Sequence, residues 1–130
     1  MLYLDSSAIV KLVARERETV ARVEAIRRDS EVVSSSLAGT EVVRAARRAG
    51  TRAARARSVL DGIAFVPVDD GILREAGDLR PRELRTPDAL HLATALSLGD
   101  DLACLVTYDA RVAEAAATAG LDVRAPGATG

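Results

Sequence analysis

Short apolar runs alternate with longer helix-patterned stretches along the whole chain, and that alternation leaves few folds open. The runs are "MLYL", "EVVSSS", "AFVPV" and "LACLV", each bounded by polar or turn residues. Each reads as a strand. Strands separated by helices imply a parallel sheet covered on both faces. The expected fold class is therefore α/β: a three-layer α/β/α domain around a central, mainly parallel sheet of four or five strands. A chain of 130 residues suits one domain, and no linker, internal repeat or low-complexity segment divides residues 1–130.

The first strand is expected at Leu2–Leu4, stopping at Asp5. "SSAIVKLVARE" continues as a short helix that Ser6 or Ser7 can cap. A second helix spans Glu18–Arg28, with Val20, Val23 and Ile26 as its stripe. "LAGTEVVRAARRAG" is a helix that Gly50 can close, and "TRAARARSVLDGI" forms a hairpin with it. After the strand "AFVPV", "DDGILREAGDL" reads as a short helix and "RPRELRT" as a basic loop. Thr86 can cap the next helix, "LRTPDALHLATAL", and Pro87 suits its first position. The strand Ala103–Val106 runs into Thr107 and Asp109, and "ARVAEAAATAGL" is the last helix. "DVRAPGATG" supplies an edge strand and a frayed tail.

Two Tyr, one Phe and no Trp leave Ala, Val and Leu to fill the core. Base stacking on aromatics is not expected. The net charge of −1, from 18 basic and 19 acidic residues, excludes a strongly basic nucleic-acid binder but not a local basic patch. The single Cys104 reads as a buried thiol, which fits a reducing compartment. The N-terminal stretch lacks a secretory pattern, and no segment approaches the length of a membrane span. A cytoplasmic protein is expected.

Four acids stand out because they converge on one crevice if the helices carrying Glu41 and Asp88 start near it. Asp5 and Asp109 follow strands, so both fall at carboxyl ends of a parallel sheet, where such folds place their sites. Asp88 begins one helix and Glu41 lies early in another. Four like charges in one cleft would raise each other's pKa. A divalent cation removes that penalty, and hard oxygen ligands suit Mg²⁺ or Mn²⁺. One His and one Cys argue against zinc. Each acid also has an ordinary reading. Asp5 and Asp109 could cap helices, Asp88 could complement a helix start, and Glu41 could pair with Arg44 or Arg48.

The segments around these acids resemble the motifs of PIN-domain proteins. "YLDSSAIVKL", "SSSLAGTEV", "LRTPDALHLATAL" and "LVTYDARVAEAAATAGL" match them in order and separation. The branch most resembled is VapC, the ribonuclease toxin of type II toxin–antitoxin pairs. The resemblance implies a PIN-like domain and a Mg²⁺- or Mn²⁺-dependent endoribonuclease site at Asp5, Glu41, Asp88 and Asp109. It places Ser6 and Thr107 as hydroxyls supporting the acids. It also implies a homodimer, a VapB-like antitoxin that brings DNA in only indirectly, and a tRNA or rRNA substrate.

Basic residues are the candidate RNA contacts. Arg80, Arg82 and Arg85 lead directly into the Asp88 helix. Lys11, Arg15 and Arg17 follow Asp5. Arg44, Arg47, Arg48, Arg52, Arg55 and Arg57 crowd the helical hairpin, where RNA and an acidic antitoxin segment are both open readings. The Leu12-Val13 region and the Ala-rich hairpin could bury apolar area against a second copy or an antitoxin helix. His91 lies one turn after Asp88 and could touch substrate phosphate, or simply be hydrogen-bonded near the cleft edge. Two rival functions remain at this level. One is a metal-dependent phosphatase, disfavoured by the missing Asp-x-Asp. The other is a non-catalytic RNA- or partner-binding domain.

Overall fold

The computed structural model describes residues 1–14, 17–27 and 30–127. Arg15, Arg28, the Ile26 side chain and the tail 128–130 lie outside the described residues. Five strands form the sheet: β1 (Leu2–Leu4), β2 (Val32–Ser35), β3 (Ala64–Val66), β4 (Cys104–Val106) and β5 (Val123–Arg124). Their order is β3-β2-β1-β4-β5, and every pairing is parallel. The α/β expectation thus holds at its five-stranded limit.

Seven α-helices connect the described strands: α1 (Ser6–Val13), α2 (Arg17–Arg27), α3 (Leu37–Arg48), α4 (Ala53–Leu60), α5 (Asp70–Asp78), α6 (Thr86–Ser97) and α7 (Ala110–Thr118). A 3-10 turn at Gly99–Asp101, not anticipated from the sequence, leads into β4. No helix among the described residues is long and apolar enough to cross a membrane.

Strand alternation sorts the core into layers. Leu2, Leu4, Cys104 and Val106 point to one face, where they join Ile9, Val42 and Ala56 from α1, α3 and α4. Tyr3, Val33 and Leu105 point to the other, against Leu92 of α6 and Val112 of α7. Fully burying one such aliphatic side chain stabilises by roughly 1.5–3 kcal/mol. Cys104 is buried and unpaired, as expected, and burial pushes its thiol pKa up.

Helix ends show where local chemistry departs from the sequence reading. Of the caps offered for α1, Asp5 holds the position and Ser6 and Ser7 do not, the Asp5 Oδ1 accepting from the Ala8 N–H at 3.0 Å. Thr86 is the first helical residue of α6 and Arg85 holds the cap position without a side-chain bond. Gly50 closes α3 with φ of 77°, a conformation that costs glycine little. Arg55 ties α4 to α1 by donating to the Leu12 and Val13 carbonyls at 3.2 and 3.4 Å. That bond satisfies the C-terminal carbonyls of α1, so Arg55 is placed as a helix tie rather than a phosphate grip.

Candidate active site

Asp5 emerges from the central strand β1, beside β4, and is only 4% exposed. Its Oδ1 accepts from the Ser7 hydroxyl at 2.6 Å as well as from Ala8. Its Oδ2 accepts from Thr107 Oγ1 at 2.5 Å. Burial pushes the carboxyl above its ordinary range, against the pull of these donors and of nearby His91. Thr107 Oγ1 also accepts from the Asp109 N–H at 3.1 Å, so one buried hydroxyl connects two of the acids' segments. Ser7 contributes a second tie by accepting from the Tyr108 N–H at 2.9 Å. In the sequence Ser7 offered no signal beyond being the second hydroxyl after Asp5.

Asp109 caps α7, its Oδ1 accepting from the Arg111 and Val112 N–H groups. Its other oxygen lies 3.8 Å from the Arg85 guanidinium. Arg85 also donates to Asp88 Oδ2 at 3.0 Å. One guanidinium therefore stands between two carboxylates, and it acts electrostatically on Glu41 as well. The hydrogen bond to Asp88 is the largest influence holding Arg85 in its charged form. Arg85, expected as an RNA contact, is thus placed against the acids.

Glu41 does not pair with Arg44 or Arg48 in the described contacts. Its Oε1 accepts from the Ser6 hydroxyl at 2.6 Å and lies 2.7 Å from His91 Nε2. Burial raises its carboxyl pKa, but the hydrogen bonds from His91 and Ser6 and the nearby Arg85 charge outweigh it. The net position is below the ordinary range. His91 is 2% exposed with both ring nitrogens engaged, by Tyr3 and by Glu41 and Ser6. That placement leaves no ring face for substrate phosphate, contrary to the expectation of an RNA contact.

The four acids are therefore neighbours in one network but not a preformed ligand shell. Among the described residues, no three of His, Cys, Asp or Glu converge on one ion position. The repulsion anticipated from the sequence is instead divided among partners in the chain: hydroxyls at Asp5, His91 at Glu41 and Arg85 at Asp88 and Asp109. The donor chemistry nonetheless fits a hard divalent cation, because the groups facing the cleft are carboxylate and hydroxyl oxygens. The guanidinium itself marks a place where positive charge is held.

The other basic candidates lie farther out. Arg80 and Arg82, with Pro81, line an open cleft of about 1040 Å³ whose far wall is α7, through Arg111 and Glu114. Arg111 was missed because only the fold carries it across from the loop. Arg82 pairs with Glu83 on the surface. Lys11 sits over the Tyr108 ring, 4.9 Å from its centroid. Arg44, Arg47 and Arg48 are exposed and, with Val43, line a separate depression of about 440 Å³.

Comparison with known proteins adds independent findings. The family model described as PIN domain matches residues 2–118. The chain is 50% identical over 126 residues to Ribonuclease VapC46 of Mycobacterium tuberculosis, covering 96% of this chain and 97% of that protein. Two solved structures share the fold. VapC20 of Mycobacterium tuberculosis, described as a Sarcin-Ricin loop cleaving toxin, has a TM-score of 0.72 at 16% identity and covers 97% of this chain and 100% of its own. VapBC2 from Rickettsia felis, bound to a DNA fragment from its promoter, also has a TM-score of 0.72 at 16% identity, with coverage of 97% and 99%.

Proposed function

The chain belongs to the PIN-domain family as a VapC-like ribonuclease toxin, and from that premise we propose that it hydrolyses RNA phosphodiester bonds with Mg²⁺ or Mn²⁺ held among Asp5, Glu41, Asp88 and Asp109. The observation that supports this reading is the Arg85 guanidinium set between Asp88 and Asp109, with hydroxyls of Thr107 and Ser6 on Asp5 and Glu41. Asp5 and Asp88 are the direct ligands, and Glu41 and Asp109 act through water or at a second ion. A bound divalent ion supplies a water of lowered pKa and neutralises charge on the phosphoryl oxygens.

The chain's own residues orient the site. Thr107, donating to Asp5 Oδ2, holds that carboxylate's plane, and Ser6 does the same for Glu41. Arg80, Arg82 and Arg111, which share their cleft with Asp78, Glu83 and Glu114, are the proposed phosphate contacts there, a contact that positions RNA with little choice of sequence. Hydrolysis in this arrangement leaves a 5′-phosphate and a 3′-hydroxyl. The substrate class we propose is tRNA or rRNA in the cytoplasm, encountered by a single-domain subunit in a homodimer. A VapB-like antitoxin is the regulatory partner, and DNA is reached through it alone. VapC20, described as a toxin, and VapBC2, bound to promoter DNA, support that partnership.

The test is cleavage of total RNA with Mg²⁺ or Mn²⁺ and with EDTA, alongside phosphate release from a small ester. Cleavage lost in EDTA and in Asp88→Asn, with no phosphate release, is the expected result. Equal cleavage in EDTA, or full activity in Asp88→Asn, contradicts it. Mapping RNA 5′ ends after brief induction of wild type and Asp5→Ala identifies the target.

A further inference from the structure

A buried chain of hydrogen bonds runs from the middle of the sheet to Glu41. It begins at Ser35, whose N–H donates to the Tyr3 hydroxyl at 3.1 Å. The Tyr3 hydroxyl lies 2.7 Å from His91 Nδ1. His91 Nε2 lies 2.7 Å from Glu41 Oε1 and 3.0 Å from Ser6 Oγ. Tyr3 is fully buried and meets the imidazole edge-on, with ring centroids 5.9 Å apart and planes at 75°. A core tyrosine on β1 and a core histidine on α6 are thus spent on orienting one carboxylate of α3.

The order of donors and acceptors follows from chemistry. An ionised carboxylate is acceptor only, so the short Nε2 to Oε1 contact requires the proton on Nε2. A neutral imidazole then has a bare Nδ1, which accepts from a hydroxyl. The Tyr3 hydroxyl, already accepting from the Ser35 N–H, has its own proton to donate to that nitrogen. The described bonds to Glu41 both fall on Oε1, which leaves Oε2 for a ligand in the cleft.

We propose that Tyr3 and His91 are positioning residues: Tyr3 locks His91 in its Nε2–H form, and that N–H, with Ser6, fixes Glu41 for cation binding. The proposal rests on the metal-dependent reading above, and it assigns the polar groups of Tyr3 and His91 a purpose that packing does not require. Neither residue touches substrate. Loss of an outer partner of this kind costs about 10–100-fold in metal affinity in other sites.

Two measurements on the folded protein test it. Nitrogen-15 NMR reads which His91 nitrogen carries a proton, without metal. Calorimetric titration with Mn²⁺ reads affinity without substrate. Wild type is expected as the Nε2–H form, and Tyr3→Phe as a mixture with Mn²⁺ affinity reduced about 10–100-fold. His91→Gln, which keeps one donor and one acceptor, should stay near wild type, whereas His91→Leu should lose as much as Tyr3→Phe. The His91 pair decides the matter if Tyr3→Phe does not fold. An Nδ1–H tautomer in wild type overturns the proposal. So does wild-type Mn²⁺ affinity in folded Tyr3→Phe or His91→Leu, and either result leaves the nuclease reading standing. Absence of Mn²⁺ binding by wild type sinks both.

Discussion

Asp5→Asn is expected to raise the melting temperature of the metal-free protein while abolishing RNA cleavage. Asp5 is 4% exposed, and burial holds its carboxyl pKa above the ordinary value of 3.8 despite three donors. Asparagine has nearly the same shape. Its Oδ1 can keep the bonds from Ser7 and Ala8, and its amide can turn toward Thr107 Oγ1, which then accepts. The substitution therefore removes little except the charge. Stripping water from a carboxylate costs several kcal/mol, and hydrogen bonds to a charged group return ~1.5–3 kcal/mol each. The upward pKa shift means that the balance is still unfavourable to the charged form. For a chain of this length each 1 kcal/mol recovered by removing the charge raises the melting temperature by about 3–5 °C. The folded carboxyl keeps its proton to higher pH than the unfolded one. Wild-type stability therefore falls as pH rises from near 3.8 through the folded pKa. The advantage of asparagine should be absent at the acid end of that window and complete above it. Thermal melts in EDTA from about pH 4 to pH 8 measure both. A variant that melts no higher than wild type at neutral pH, or one whose advantage is equally large in acid, refutes the reasoning.

Other outcomes follow from single contacts. Arg85→Gln removes the guanidinium between Asp88 and Asp109 and should tighten Mn²⁺ binding severalfold by calorimetry; unchanged affinity would place Arg85 outside the cation's reach. Thr107→Val deletes a donor to Asp5 and an acceptor for the Asp109 N–H, and urea denaturation at neutral pH should show a loss of about 2–3 kcal/mol. A loss near zero would mean that the buried bond is not made in solution. Arg55→Leu should cost about 1 kcal/mol and speed amide exchange in the last turn of α1, with unaltered exchange counting against the tie between α4 and α1.

The sheet was legible because its signal is local. Short apolar runs of two to four residues stop at Asp5, at Ser34 and at Thr107, and the helices between them carry ordinary periodicity. The motif resemblance placed the four acids in neighbouring segments. What it could not convey is how the charges are managed. Arg85 precedes Asp88 by three residues, so their pairing is local, but its approach to Asp109 depends on how α6 lies beside α7. His91 looked like a residue of the cleft edge because helical spacing puts it one turn beyond Asp88. Tyr3, at the centre of the sheet, draws its ring inward, and no pattern in "MLYLD" signals a partner 88 positions away. Arg55 misled for the same reason: an arginine-rich hairpin reads as surface until the carbonyls of α1 are seen beneath it.

The middle strand of the sheet has a consequence for when the protein can become harmful. β1 is made first, yet one flank is filled only by β4, and the Asp5 carboxylate waits for a hydroxyl 102 residues later. A growing polypeptide that has passed Asp88 but not Thr107 already carries three of the acids and lacks the hydroxyl that holds Asp5 Oδ2. On the proposed reading, the cutting edge does not exist until β4 and Thr107 have been made, so a cell that makes this chain is spared from forms that stop short of them.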